Sequence, residues 1–457
     1  MAAAERKDVL YVFFFLGSLN AYVGYLGDRS RARYAAALGL FLLSLLAKPQ
    51  GLLLPAVLLL LDWYFRRGFD RKVLAEKAPF ALLSAGFFLL NFLTEFSGDP
   101  LDRGQMLGWA ANLHNAAYGT VFYLLKTALP VRLSCIYPHP AVAGGFYRGL
   151  HLFSPALVSS LALLVLYCRN RARPVFFGGI FFLLNLLLVL QVVPTGPALV
   201  ADRYTYIASI GIFFPAAAGL VRLWGRRRGR LRSRLPAALA GAIIIAAFSL
   251  LTRQRCRAWR NSVTLWSDAL DKYPNLPIAN FNLGEAYARE ENYPRAVSRY
   301  LREIELRPYF TKTYQELGTV YTRMGLPDEA LEVLLAARGI EPDSAETRYR
   351  LARAFLNLER IEEAEGEYRE ALRLDPGHVD ARISLGVILG MGGRYPEAEA
   401  AFREALEIDP GSSEALSNLC ILYGRLGREE DLRETFSVLE KVSPETAREL
   451  TAGPRRE

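Results

Sequence analysis

The chain has 457 residues, 52% of them hydrophobic, and its formal net charge of +9 conceals two unlike parts: residues 1–260 hold 30 Lys and Arg against 10 Asp and Glu, and residues 261–457 hold 25 against 36. The basic residues of the first part stand in short clusters between long apolar runs, the pattern of cytoplasmic loops in a membrane protein, which argues against a nucleic-acid partner. Cys135, Cys168, Cys256 and Cys420 form no CxxC pair, and His114, His139, His151 and His378 show no HExxH or HxH spacing, so no zinc site, disulfide scaffold or resident cofactor is expected.

In chain order, residues 1–8 (MAAAERKD) precede an apolar run at 9–26 that is too long and aromatic for a cleaved leader, so the run reads as a membrane span. A bilayer core demands about 20 apolar residues per helix, fewer where the membrane thins. Further stretches of this kind lie at 34–47, 51–65, 78–97, 152–168, 175–193, 204–224 and 235–252. A weaker helix at 108–129 is interrupted by Asn112, His114, Asn115 and Lys126.

Orientation follows from the basic clusters, which are Arg29, Arg31 and Arg33; Arg66, Arg67, Arg71, Lys72 and Lys77; Arg169, Arg171 and Arg173; and the six arginines between Arg226 and Arg234. Positive loops stay cytoplasmic, so an even number of crossings separates each cluster from the next. Residues 34–65 as one helix would break that parity, and Lys48-Pro49-Gln50 is therefore expected to be the tip of a hairpin. The same argument makes 108–129 re-entrant or interfacial. The expectation is a multi-pass helical membrane domain over 1–252 with eight crossings and both termini extracytoplasmic. Glu5, Arg6, Lys7, Asp8, Lys48, Lys126, Tyr137, His139, Asp202, Arg203 and Tyr204 then share the outer side. Polar residues commonly occupy membrane interfaces. A second reading is that Lys48, Asp202 and Arg203 abut apolar helices, where charge is costly and marks ligand sites. Asp62, beside Trp63 and Tyr64 near the cytoplasmic end, reads as an interface anchor.

Residues 253–276 are expected to connect this domain to a repeat array. Pro274, Pro308, Pro342, Pro376, Pro410 and Pro444 recur every 34 residues. In register with them stand the pairs Leu283-Gly284, Leu317-Gly318, Leu351-Ala352, Leu385-Gly386 and Leu419-Cys420, and the alanines Ala296, Ala330, Ala364 and Ala398. Small residues let two helices approach closely, and each proline ends a second helix. This is the tetratricopeptide repeat (TPR) pattern: five repeats over 277–446, the fifth degenerate through Leu432 and Leu439, and then a disordered tail over 447–457. The fold class is all-α, a transmembrane helical bundle followed by a TPR solenoid. TPR grooves take peptide segments, and the register points Phe281, Glu285, Arg289, Gln315, Arg323, Tyr349, Arg353 and Asn357 to the groove. A protein and the lipid bilayer are the expected partners.

Five stretches together resemble the TMTC-type protein O-mannosyltransferases and their bacterial relatives: AERKDVL (4–10), LLSLLAKPQGLLLPAVLLLLDW (42–63), YLLKTALPVRLSCIYP (123–138), DRYTYIASIG (202–211) and RAWRNSVTLWSDALDKYPN (257–275). The resemblance implies a GT-C-type membrane region that takes a sugar from a polyprenyl-phosphate donor and passes it to Ser or Thr of a protein docked on the repeats. A phosphate leaving group calls for cations, and Arg6, Lys48, Lys126 and Arg203 are the candidates, with Tyr204 beside them. A hydroxyl acceptor calls for a carboxylate base, for which Asp8, Glu5 and Asp202 are on the correct side. The family's principal acidic residue stands in a first outer loop that would precede AERKDVL. The chain is accordingly expected to be either a truncation or a divergent member that has lost catalysis.

Two other readings stand beside the transferase: a non-enzymatic, membrane-anchored TPR scaffold, and a lipid-linked glycan assembly factor. Hydrolase and nucleotide-binding readings lack their motifs, since neither GxSxG nor GxxxxGK[ST] occurs.

Overall fold

The computed structural model describes residues 2–96, 108–139, 145–190, 199–226 and 235–452, and these residues contain helices and no strand. The chain divides into two compact units, Met1–Pro274 and Asn275–Glu457.

In the first unit α1 (Ala2–Asp28) and α2 (Arg31–Ala47) form an antiparallel hairpin. Its register is held by two hydroxyls inside apolar helices. Ser18 donates to the Ala37 carbonyl at 2.7 Å and Ser44 to the Tyr11 carbonyl at 3.3 Å, since a buried hydroxyl demands a partner. Lys48 is extended, and Pro49 opens a 3₁₀ turn (Pro49–Leu53) that leads into α3 (Leu54–Tyr64). The chain thus reverses at Lys48-Pro49-Gln50, where the sequence predicts a hairpin tip. Helices α4 (Arg71–Ala75), α5 (Ala78–Phe96), α6 (Trp109–Ala128), α7 (Gly145–Arg171), α8 (Arg173–Leu186), α9 (Ala208–Arg226), α10 (Leu235–Ala258) and α11 (Ser262–Lys272) follow, with a 3₁₀ turn at Asp202–Thr205.

Among the described residues three helices are long and apolar enough to cross a membrane: Lys7–Asp28, Arg71–Leu93 and Phe146–Arg171. Pro49–Tyr64, Arg173–Leu186 and Ala208–Arg222 are apolar but shorter. Large side chains such as Phe13, Leu82, Phe88, Leu93, Phe153 and Leu163 stand exposed on this unit. An apolar exterior of that extent marks a surface made for lipid or for a partner.

Three basic clusters meet at one end. Arg29 and Arg67 both pair with Glu76, at 3.4 and 2.9 Å, and Arg173 donates to the Trp63 carbonyl at 2.7 Å. Beneath them Asp62 is fully buried, paired with Arg67 at 3.0 Å and with Lys77, and accepting from Tyr22 at 2.9 Å. Asp62 is therefore the centre of a buried charge network and not an interface anchor. Its counter-ions come from other turns of the chain, which its apolar and aromatic neighbours in sequence do not betray.

The second unit is five helix pairs, α12/α13 (Pro277–Arg289, Tyr293–Leu306), α14/α15 (Thr311–Arg323, Pro327–Ile340), α16/α17 (Ala345–Asn357, Ile361–Leu374), α18/α19 (Val379–Met391, Tyr395–Ile408) and α20/α21 (Ser413–Leu426, Glu429–Val442), followed by α22 (Pro444–Ala452). Each small residue in the first helix lies under a large one in the second. A Cβ on Gly284, Gly318 or Gly386 would stand 2.7, 2.6 or 2.7 Å from Tyr300, Leu334 or Phe402, so these pairs touch at backbone distance. Asp375 and Asp409 take the turn amides of Gly377 and Gly411 at 2.9 and 3.0 Å, an Asx turn around the repeat proline. Helix α22 occupies part of the expected tail because Ala447 packs with Leu416, Cys420 and Leu439.

Candidate functional site

At the end of the first unit opposite the basic clusters, four separated segments enclose a narrow recess. Asp8, Tyr11 and Val12 come from α1, Lys48 and Gln50 from the hairpin tip, Asn185 from the end of α8 and Val189 from the turn after it, and Tyr204, Tyr206 and Ile207 from the turn before α9. Lys48 forms an ion pair with Asp8. Both side chains are about one fifth exposed, so the pair is partly desolvated and accessible, a setting in which charge retains its strength. The sequence-predicted residues Asp8, Lys48 and Tyr204 are thus brought together. The side chains of Glu5, Arg6 and Arg203 lie outside the described residues.

Asp202 and Lys126 belong to a neighbouring cluster. The Tyr137 hydroxyl donates to Asp202 at 2.6 Å and accepts from the Ser134 amide at 2.9 Å, which ties the 131–139 loop to the Asp202–Thr205 turn. Burial pushes the Asp202 carboxyl up, against the opposing pull of Tyr137, Arg255, Lys126 and Lys272. Burial beside Asp202 pushes the Tyr137 phenol upward as well. Lys126 donates to the carbonyls of Val131 and Arg132 at 2.8 and 3.4 Å and lies over the Phe122 and Tyr137 rings. Its charge is engaged in holding the loop.

His114, His139 and His151 gather near this cluster, with ring centroids of 4.3 Å for His114–His151 and 5.8 Å for His139–His151. Among the described residues no three His, Cys, Asp or Glu side chains are arranged to hold a metal ion.

On the repeats, Phe281 is buried against Tyr300 and Phe310. Gln315 is buried too, and donates to Thr347 at 2.8 Å. Both fill the array, because a first-helix residue one step round the helix meets the next repeat. Glu285 pairs with Arg289 at 2.6 Å on the surface. Arg323, Arg353 and Asn357 are exposed. The Tyr349 ring lies between Arg353 and His378, at 5.8 and 4.9 Å. His378 and Glu346 border an open hollow with Asp375 and Asp380. The hydrogen bond from His378, aided by Arg350, pulls the Glu346 carboxyl down to about 2.

Gln50 and Asn185 of the recess escaped the sequence reading. Neutral amides carry no charge signal, and the only clue is an amide inside an apolar run.

Residues 257–309, 316–378 and 349–413 match the tetratricopeptide repeat family model, and the array is built of these repeats. The relatives found include the protein O-mannosyl-transferase TMTC3 of Homo sapiens, 25% identical over 188 residues, and that of Mus musculus, 24% identical over 188 residues. Each match covers 38% of this chain and 20% of the relative, so the chain spans about a fifth of the length of these relatives. Similar solved structures include MamA of Desulfovibrio magneticus RS-1 (23% identity, 36% of this chain and 96% of that chain, TM-score 0.32) and PilF of Pseudomonas aeruginosa (16%, 45% and 94%, 0.37). Another is YrrB, described as a TPR protein with an unusual peptide-binding site (22%, 40% and 95%, 0.32).

Proposed function

We propose that the chain is a membrane-embedded, GT-C-like glycosyltransferase of TMTC type, which moves a sugar from a polyprenyl-phosphate donor to Ser or Thr of a protein bound on its TPR array. The observation that carries this reading is the recess. A carboxylate, an ammonium, phenols and amides converge there at one end of a unit whose flanks are apolar enough for a polyprenyl chain. The likeness to TMTC3 points the same way.

In this reading Lys48 leaves Asp8 for the donor phosphate, and Asp8 becomes free to act as base. The acceptor oxygen attacks the anomeric carbon as its proton passes to Asp8. The anomeric carbon–oxygen bond breaks, and polyprenyl phosphate departs with the electron pair beside Lys48. Asp8 is the preferred base over Asp202, one of whose oxygens is occupied by Tyr137. We keep Glu5, Arg6 and Arg203 as further candidates for this site on their sequence positions alone. We place eight crossings over residues 1–252, with α6 re-entrant or interfacial and the repeats extracytoplasmic. A single cysteine in the repeats should then react with an impermeant thiol reagent in intact cells, and protection there would reverse the orientation.

The test of activity is transfer of labelled mannose from a polyprenyl-phosphate donor to extracytoplasmic protein by the purified chain, wild type against Asp8→Asn. Loss of transfer in a folded variant supports the enzyme. A second reading, a membrane-anchored scaffold, draws on the repeat surface where the half-buried Tyr349 stands beside the exposed Arg353 and Asn357. It gains if no transfer occurs while Tyr349→Ala with Arg353→Ala weakens partner capture.

A further inference from the structure

Two acceptors in the recess have no donor. The side-chain amide oxygens of Gln50 and Asn185 are shielded from solvent, and neither has a hydrogen-bond partner among the described residues. Both residues line the recess with Asp8, Lys48, Tyr204 and Tyr206. The orientation of Asn185 is fixed by its other end. Its Nδ2 donates to the Phe181 carbonyl at 2.8 Å, and turning the amide over would set oxygen against oxygen. For Gln50 either orientation leaves a buried polar atom at that position.

Folded proteins seldom leave a buried acceptor unpaired, because the lost hydration is not repaid. A lone case is often met by one water. Here two fall in one recess, on elements more than a hundred positions apart, and beside the partly exposed Asp8–Lys48 ion pair.

We infer that Gln50 and Asn185 are specificity-determining residues whose amide oxygens accept hydrogen bonds from the hydroxyl groups of a glycosyl phosphate lipid. The inference rests on the donor reading of the recess, because Lys48 sets the phosphate and thereby the sugar. Hydroxyls are the fitting donors. They are neutral, so they add no charge next to Asp8, and a sugar offers several on a rigid ring at the spacing of neighbouring side chains. When Lys48 turns from Asp8 to the phosphate the narrow recess widens, and the two amide oxygens become available to the ring. A site built this way discriminates strongly against a ligand lacking the hydroxyl, since its own buried acceptor is then stranded again.

The experiment measures binding of undecaprenyl phosphate and of undecaprenyl-phosphate mannose to the full chain in lipid nanodiscs. It compares wild type with Gln50→Leu, Asn185→Leu and the double variant. The wild type is expected to prefer the mannosyl lipid by about tenfold or more, a difference of one good hydrogen bond or two. In the double variant that preference should shrink to about twofold or less. A preference unchanged by both substitutions overturns the inference and leaves the donor reading intact. Equal binding of both lipids by the wild type does the same. If the wild type binds neither lipid, the donor reading falls and takes the inference with it. Should the leucine variants fail to fold, mannosyl lipids lacking one hydroxyl at a time supply the same answer on the wild type. At least two deoxy lipids should bind about tenfold more weakly, and equal binding of the whole series overturns the proposal.

Discussion

Asp8 and Lys48 stand forty positions apart in sequence and form an ion pair across the mouth of the hairpin that joins α1 to α2. The pair sits where α1 begins and the chain turns back after α2, so it both closes the hairpin and lines the recess. A pair this far from solvent retains much of its charge strength, and removing either partner leaves the other partly buried and uncompensated. Asp8→Asn and Lys48→Met should therefore lower the thermal midpoint modestly and lower sugar transfer by roughly a hundredfold or more, the scale of losing a general base or an electrostatic clamp. Transfer that survives both substitutions would remove the recess as the reaction site.

The network around Asp62 should affect stability more strongly, and without any part in transfer. Asp62 is fully buried, and Lys77 nearly so. Asp62→Ala leaves Arg67 and Lys77 with Glu76 alone as counter-charge, at 2.9 and 3.6 Å, and removing one partner of a buried pair costs about 3–5 kcal/mol. Arg433→Ala, in a pair whose side chains are 81% and 78% exposed, should change nothing measurable. Thermal unfolding of both variants in the same detergent checks the contrast.

Asp202 yields a pH prediction. Burial raises its carboxyl in the folded chain, so the fold favours the protonated form. That contribution is full below the unfolded value of about 3.9 and is lost as pH rises through the folded value. Asp202→Asn keeps an acceptor for Tyr137 and removes the charge. Its thermal midpoint at pH 7.5 should equal or exceed that of the wild type, with the gap narrowing as pH falls toward 4. A variant that is less stable at pH 7.5 would show that the carboxylate's cationic neighbours outweigh its burial.

In the repeats Gly318→Ala should destabilise. Alanine gains up to about 1 kcal/mol in helix propensity. Its Cβ, however, would meet Leu334 at 2.6 Å, and overpacking of this kind costs about 1–3 kcal/mol. The repeats of the intact variant should yield to protease at lower denaturant than wild type. Equal resistance would mean that Leu334 has room to move.

The repeat array was legible because its signals are local. Proline spacing, small residues and alanines place ten helices in five pairs, and the helices fall where the spacing puts them. The turn at Lys48-Pro49-Gln50 was legible through charge parity. The partners of Asp62 were not, because Tyr22 and Lys77 reach it only in three dimensions. The outer polar residues appeared in sequence as one group. Packing divides them, since Tyr137 draws Asp202 and the 131–139 loop draws Lys126, while Asp8 takes Lys48. Gln50 and Asn185 went unnoticed because their importance lies in a missing partner, which no string of residues displays.

Helices α8 and α9 meet backbone to backbone where Gly178 faces Gly211, so closely that a Cβ on Gly211 would stand 2.8 Å from the Phe182 amide nitrogen. Two helices seated that tightly resist sliding past one another. They support one wall of the recess, to which Asn185 near the end of α8 and Ile207 just before α9 belong. On the opposite side Asp8 and Lys48 tie the start of α1 to the end of α2. If the donor reading holds, a phosphate that takes Lys48 would release that tie at the same moment that it is bound.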